Sequence, residues 1–116
     1  MKRFRNHLIG VDQGDVPLFA DFEDGGEMWT GKGPRERRKT IEFSQDFKAP
    51  PAVHVSLALC DMDSGPHHRA EVVAENIGPA TCDVVFRTWG DTRVARVRVA
   101  WMAIGELAYD DDWVIE

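Results

Sequence analysis

Arg93-Val94-Ala95-Arg96-Val97-Arg98-Val99-Ala100-Trp101-Met102-Ala103-Ile104 carries the clearest alternation in the chain. Side chains along a strand point to opposite faces in turn, so Val97, Val99, Trp101 and Ala103 share one face. Arg96 and Arg98 open the other face, yet Ala100, Met102 and Ile104 continue it as apolar. A strand that packs on one side normally wets the other. The second apolar face therefore calls for a cover, either another chain or a segment of this one folded across it.

Outward from this strand the same grammar recurs. Residues 53–60 alternate, with Val53, Val55, Leu57 and Leu59 on one face and His54, Ser56, Ala58 and Cys60 on the other. Residues 82–89 pair Val84 with Phe86, residues 40–43 pair Ile41 with Phe43, and residues 69–77 read as a further strand. Pro50-Pro51, the loop 61–68, Gly78-Pro79 and Gly90-Asp91 separate these runs. Upstream, Gly10, Gly14, Pro17, Gly25, Gly26, Gly31, Gly33 and Pro34 predict two short strands, over 7–11 and 17–22, and then a long loop. No helical period intervenes. The fold class is all-β, an antiparallel sandwich or barrel.

A chain of 116 residues holds one domain, and its 43% hydrophobic content is that of a globular protein. The net charge of −6 turns the default away from nucleic acid. Lys32, Arg35, Arg37, Arg38 and Lys39 form a basic run, and Asp110, Asp111, Asp112 and Glu116 an acidic tail; both read as solvated surface. No stretch approaches the roughly 20 apolar residues of a membrane span. Met1 to Arg5 is basic, but Asp12, Gly14 and Asp15 interrupt what would be a signal-peptide core, so no export signal is visible. Cys60 and Cys82 lie in strand-like runs and are expected as free thiols.

Few groupings could carry chemistry. Asp61 and Asp63 lack the glutamate that would complete a calcium loop, and read as a turn device. Adjacent His67 and His68 point apart in a strand, with no third ligand spaced near them. Neither metal nor cofactor is expected. A glycosidase needs two carboxylates across the scissile bond, and nothing places Asp91 beside Asp61 or Asp63. There remains Trp89, which after a strand offers an apolar platform to the C–H face of a sugar. Arg69 and Asp91 would supply directional hydrogen bonds to hydroxyls. On composition alone the same residues suit a structural role better, with Trp89 in the core and Asp91 capping a turn.

Several landmarks follow one another in order: Ile41-Glu42-Phe43, Phe47 ahead of Pro50-Pro51, the Val-x-Val-x-Leu strand ending at Asp61, Arg69, Thr88-Trp89-Gly90-Asp91-Thr92, and Val99-Ala100-Trp101-Met102-Ala103-Ile104. Together, over residues 40–105, they resemble the H-type lectin domain of snail agglutinins and of the C-terminal part of discoidin. Met28-Trp29-x-Gly31-x-Gly33-x-Arg35 is similar to a stretch in bacterial members.

The resemblance implies a six-stranded antiparallel β-sandwich that assembles as a homotrimer and catalyses nothing. Residues 1–38 would be an N-terminal extension, 39–106 the sandwich and 107–116 a tail. It implies a glycan partner, N-acetylgalactosamine or galactose, at the rim between two protomers. The family's sugar-contacting arginine falls on Arg69 and its tryptophan on Trp89. Where snail members have a sugar-binding histidine, this chain has Gly90. Their hydroxyl-gripping aspartate falls on Lys32, beside Gly31, and lysine only donates. With the basic run, that change favours an acidic or phosphorylated glycan. The alternatives are a structural or adhesive piece of a phage-like or surface assembly, and a small hydrolase using Asp91. A glycan-binding role without an export signal implies export within a larger particle, or an intracellular task.

Overall fold

The computed structural model describes residues 1–5 and 8–108. The valine-rich run becomes the longest strand, β6 (Val94–Glu106), at the centre of a sheet between β1 (Ile9–Phe19) and β3 (Ala52–Met62). A second sheet places β5 (Thr81–Thr88) between β2 (Arg35–Glu42) and β4 (Glu71–Glu75). Every pairing is antiparallel, which gives six strands in two three-stranded sheets. Val97, Val99 and Ala103 of β6 face Val84 and Phe86 of β5 in one cluster with Met28, Ile41, Phe43 and Phe47. Fully burying a valine or phenylalanine contributes about 1.5–3 kcal/mol. This shared core therefore holds the sheets face to face. Cys82 lies within it and Cys60 at its edge, both as free thiols.

Three local expectations are corrected. The two short strands of the N-terminal region are one continuous strand; His7, where the first was to begin, lies outside the described residues. Gly14 is not a turn. It pairs with Trp101, and a Cβ there would lie 3.1 Å from the indole nitrogen, so glycine lets Trp101 lie across the strand.

The expected loop holds two one-turn helices, α1 (Asp21–Asp24) and α2 (Glu27–Thr30). Asp21, buried between them, accepts hydrogen bonds from the Met28 amide (3.0 Å) and Arg37 Nη1 (2.8 Å). Those bonds seat Met28 fully in the core.

The third correction is in β3. A bulge between Leu57 and Leu59 adds one residue to this strand opposite β6, which swaps the faces beyond it. Cys60 and Met62 take over the core face from Val53 and Val55, and Leu57 is left 37% exposed. The acidic residues Asp110, Asp111, Asp112 and Glu116 lie outside the described residues.

On the other face of the first sheet, Ile104, Met102 and Ala100 run down the middle. They are flanked in register by Val11, Gln13 and Asp15 of β1 and by Ala52, His54 and Ser56 of β3. Val11 and Met102 are exposed there. No helix among the described residues is long and apolar enough to cross a membrane.

Candidate functional site

Pairing of Arg35 with Thr88 and of Glu71 with Arg87 gathers four chain segments at one end of the sandwich. They are the loop 31–34, the segment 67–70, the turn 89–93 and helix α2. Their anchor is Arg35, only 6% exposed. Its guanidinium donates to the carbonyls of Gly33 (2.9 Å), Glu27 (3.3 Å), Met28 (3.2 Å), Gly90 (3.3 Å) and Thr92 (2.8 Å). Desolvation lowers its pKa, a change the field of Glu27 opposes. The planar fork meets five carbonyls from three segments at once, more than the three N–H donors of a lysine could reach. The Gly33 amide adds a bond to the Gly90 carbonyl at 2.9 Å. Expected on a solvated basic face, Arg35 is instead the buried bracket of this end.

Two threonines clip segment 67–70 to the same turn. Thr92 Oγ1 donates to the His67 carbonyl (2.6 Å) and accepts from the Arg69 amide (3.1 Å), and Thr88 Oγ1 donates to the Arg69 carbonyl (2.6 Å). Arg69 is thereby aimed across Gly90 at Asp91, with Nη1 donating to Oδ1 at 2.7 Å. Gly90 has a φ of 70°, and a Cβ there would stand 3.1 Å from Arg69 Nη1. The absence of a side chain at this position is what allows the guanidinium to rest on the turn.

His67 Nδ1 approaches the other carboxylate oxygen of Asp91 at 3.4 Å. Desolvation pushes the Asp91 carboxyl up, but the hydrogen bonds from His67 and Arg69 outweigh it and hold the group below the usual carboxylate range. Asp91 is therefore an anion at neutral pH with one side still open to solvent.

Trp89, two residues before Asp91 in the chain, is 43% exposed and is absent from the core cluster. The structural alternative of a core tryptophan is thus excluded. The hydrogen bond between Gly33 and Gly90 brings Gly31 and the exposed Lys32 to the same rim. Arg69, Trp89, Gly90, Asp91, Gly31 and Lys32 accordingly lie together at one end of the sandwich.

The basic run is not a free patch. Arg37 pairs with Asp21, and Arg38 with Glu36, Glu75 and Asp83. With Arg35 committed to carbonyls, Lys32 and Lys39 are the members of the run whose charges have no partner among the described residues. Of these two, Lys32 is the one at the rim.

His67 and His68 diverge, the latter toward the Asp63 carbonyl at 3.0 Å. Among the described residues no group of three or more His, Cys, Asp or Glu is placed to hold a metal. Sequence reasoning missed His67 as a partner of Asp91. It also missed Arg93, whose guanidinium stacks over the Trp29 ring at 4.3 Å while bonding Asp63. Trp29 and Asp63 lie 64 and 30 positions from Arg93 in the sequence, so no local signal marked this contact.

Residues 38–104 match the H-type lectin domain family. A Fuscovulum blasticum protein called "ATP synthase subunits region ORF 7" is 53% identical over 108 residues, spanning 93% of this chain and 94% of that protein. Its name describes no activity. Two structures of discoidin II from Dictyostelium discoideum, one recombinant and one wild-type, share the fold with TM-scores of 0.71 and 0.72. Both are 23% identical and cover 90% of this chain, which spans 40% of the discoidin II chain.

Proposed function

The chain belongs to the H-type lectin domain family, and from that premise we propose that it is a glycan-binding module rather than an enzyme, recognising sugar at the rim built by Arg69, Trp89, Gly90 and Asp91, with Gly31 and Lys32 alongside. The observation that carries this reading is the exposed Trp89 in the same turn as Asp91, whose carboxylate is held by a preset pair with Arg69. An aromatic face receives the C–H side of a pyranose, while the arginine donates to and the carboxylate accepts from its hydroxyls. Because Arg69 and Asp91 already hold each other, little side-chain entropy is lost when the sugar arrives. Galactose-like and N-acetylgalactosamine-like rings are the leading ligands; Lys32 admits an acidic substituent.

We place this rim at the boundary between protomers of a homotrimer. The row Val11, Ile104, Met102 and Ala100 on the outer face of the first sheet supports association. Several weak sites on one assembly gain through avidity on a multivalent surface.

The reading is tested by sedimentation equilibrium together with calorimetric titration of N-acetylgalactosamine and a sulfated counterpart. A trimer is expected, binding either sugar through Arg69, with the sulfated form favoured only while Lys32 is present. A folded trimer that binds no glycan would instead favour a structural or adhesive part of a larger assembly.

A further inference from the structure

Strand β5 sends Val84, Phe86 and Thr88 into the core, so alternation carries Arg87 and then Trp89 to the opposite face. In register, Arg87 stands between Glu36 of β2 and Glu71 of β4. Its guanidinium is held from three sides: Nε by Glu36 at 2.8 Å, Nη2 by Glu75 at 2.7 Å and Nη1 by Glu71 at 3.3 Å. Trp89, Pro34 and this charged rung line a depression of about 290 Å3. Arg69 and Asp91 are not among its lining residues, so the two places share only Trp89.

We propose that this depression is a second sugar subsite, taking one neutral, hydroxyl-rich ring next to the one held at Arg69 and Asp91; the proposal rests on the glycan-binding reading above. Its size is just under the roughly 300–1,000 Å3 usual for small-ligand sites, which suits a single ring. Glu36 and Glu71 stay partly exposed, with side chains 40% and 49% accessible. Each therefore has lone pairs left to accept from hydroxyls. Arg87 uses one N–H of each nitrogen and keeps two for a ring or hydroxyl oxygen. Trp89 supplies the apolar wall that stacking requires.

The charge balance selects the ligand class. Arg87 is already neutralised by three carboxylates, and Arg35 below is committed to carbonyls. An anionic ring would thus meet Glu36 and Glu71 with no cation to spare, whereas a neutral polyol meets fixed donors and acceptors.

The test is nuclear magnetic resonance shift mapping on the full, isotope-labelled chain. The probes are neutral monosaccharides (galactose, N-acetylgalactosamine, glucose, mannose and fucose) and the acidic N-acetylneuraminic acid. At least one neutral sugar is expected to give two saturating sets of shifts, one at Arg69, Gly90 and Asp91 and another at Glu36, Glu71 and Arg87. Combining Glu36→Gln with Glu71→Gln should weaken the second set at least tenfold and spare the first. Arg69→Ala should do the reverse. Shifts confined to the first set overturn the subsite while leaving the lectin reading intact. Shifts in neither set, for a folded protein, remove both. Equal movement of the second set by N-acetylneuraminic acid overturns the neutral ligand class.

Discussion

Replacing Arg35 by alanine tests the bracket on which the whole site depends. Five carbonyls accept from its guanidinium, but two have a second donor: Glu27 from the Gly31 amide at 2.7 Å and Gly90 from the Gly33 amide at 2.9 Å. The carbonyls of Gly33, Met28 and Thr92 lose the bonds that Arg35 makes to them. A buried polar group left without its partner costs about 1–3 kcal/mol, with carbonyls at the low end. The sum is about 3 kcal/mol, a large part of the roughly 5–15 kcal/mol that holds a domain folded. For a chain of this size that lowers Tm by about 12 °C. Thermal unfolding followed by circular dichroism, at fixed protein concentration, measures it. Arg35→Lys should recover part of the loss, since an ammonium reaches fewer of the carbonyls. Unfolding of Arg35→Ala within about 1 kcal/mol of the parent would refute the idea that these bonds hold the end of the sandwich together.

Other consequences follow from the same geometry. Gly90→Ala places a side chain in the left-handed region and against Arg69, so urea unfolding should register a loss of about 1–2 kcal/mol, accompanied by weaker glycan binding. Asp21, Glu75, Asp83 and Asp91 all have carboxyl pKa values lowered in the fold. Their contribution is therefore complete above the unfolded carboxylate value of about 4 and is lost as pH falls through the lower folded values. The urea midpoint should stay level from pH 7 to about 5 and drop below about pH 4; a rise on acidification would contradict these assignments. Met102→Asp, at a position 38% exposed on the outer face of the first sheet, should leave a folded chain that sediments as a monomer.

Much of this architecture was legible because alternation is a direct imprint of burial. Val97, Val99, Val84, Phe86 and Ile41 are read correctly from spacing alone, and each is buried. What escaped has definite physical causes. The β3 bulge changes which residues face the core after Leu57, and a single inserted residue leaves no mark in a Val-x-Val-x-Leu pattern. Gly14 reads as a turn until Trp101 is seen lying over it, a contact 87 positions away in the sequence. Arg35 reads as surface because nothing local reveals that five carbonyls will converge on it. At the site, turn context left Trp89 and Asp91 with a structural reading ahead of a binding one, and only the fold shows that Trp89 is outside the core. The family resemblance pointed to Arg69, and only the folded chain shows why it rests on a glycine.

The most direct test of the central claim is a broad glycan array, including acidic and bacterial glycans, probed with the parent protein and with Arg69→Ala. A defined set of bound glycans is expected, whose binding the substitution abolishes while the protein remains folded and oligomeric. Binding that survives Arg69→Ala unchanged, or silence of the folded parent across the array, would contradict that claim.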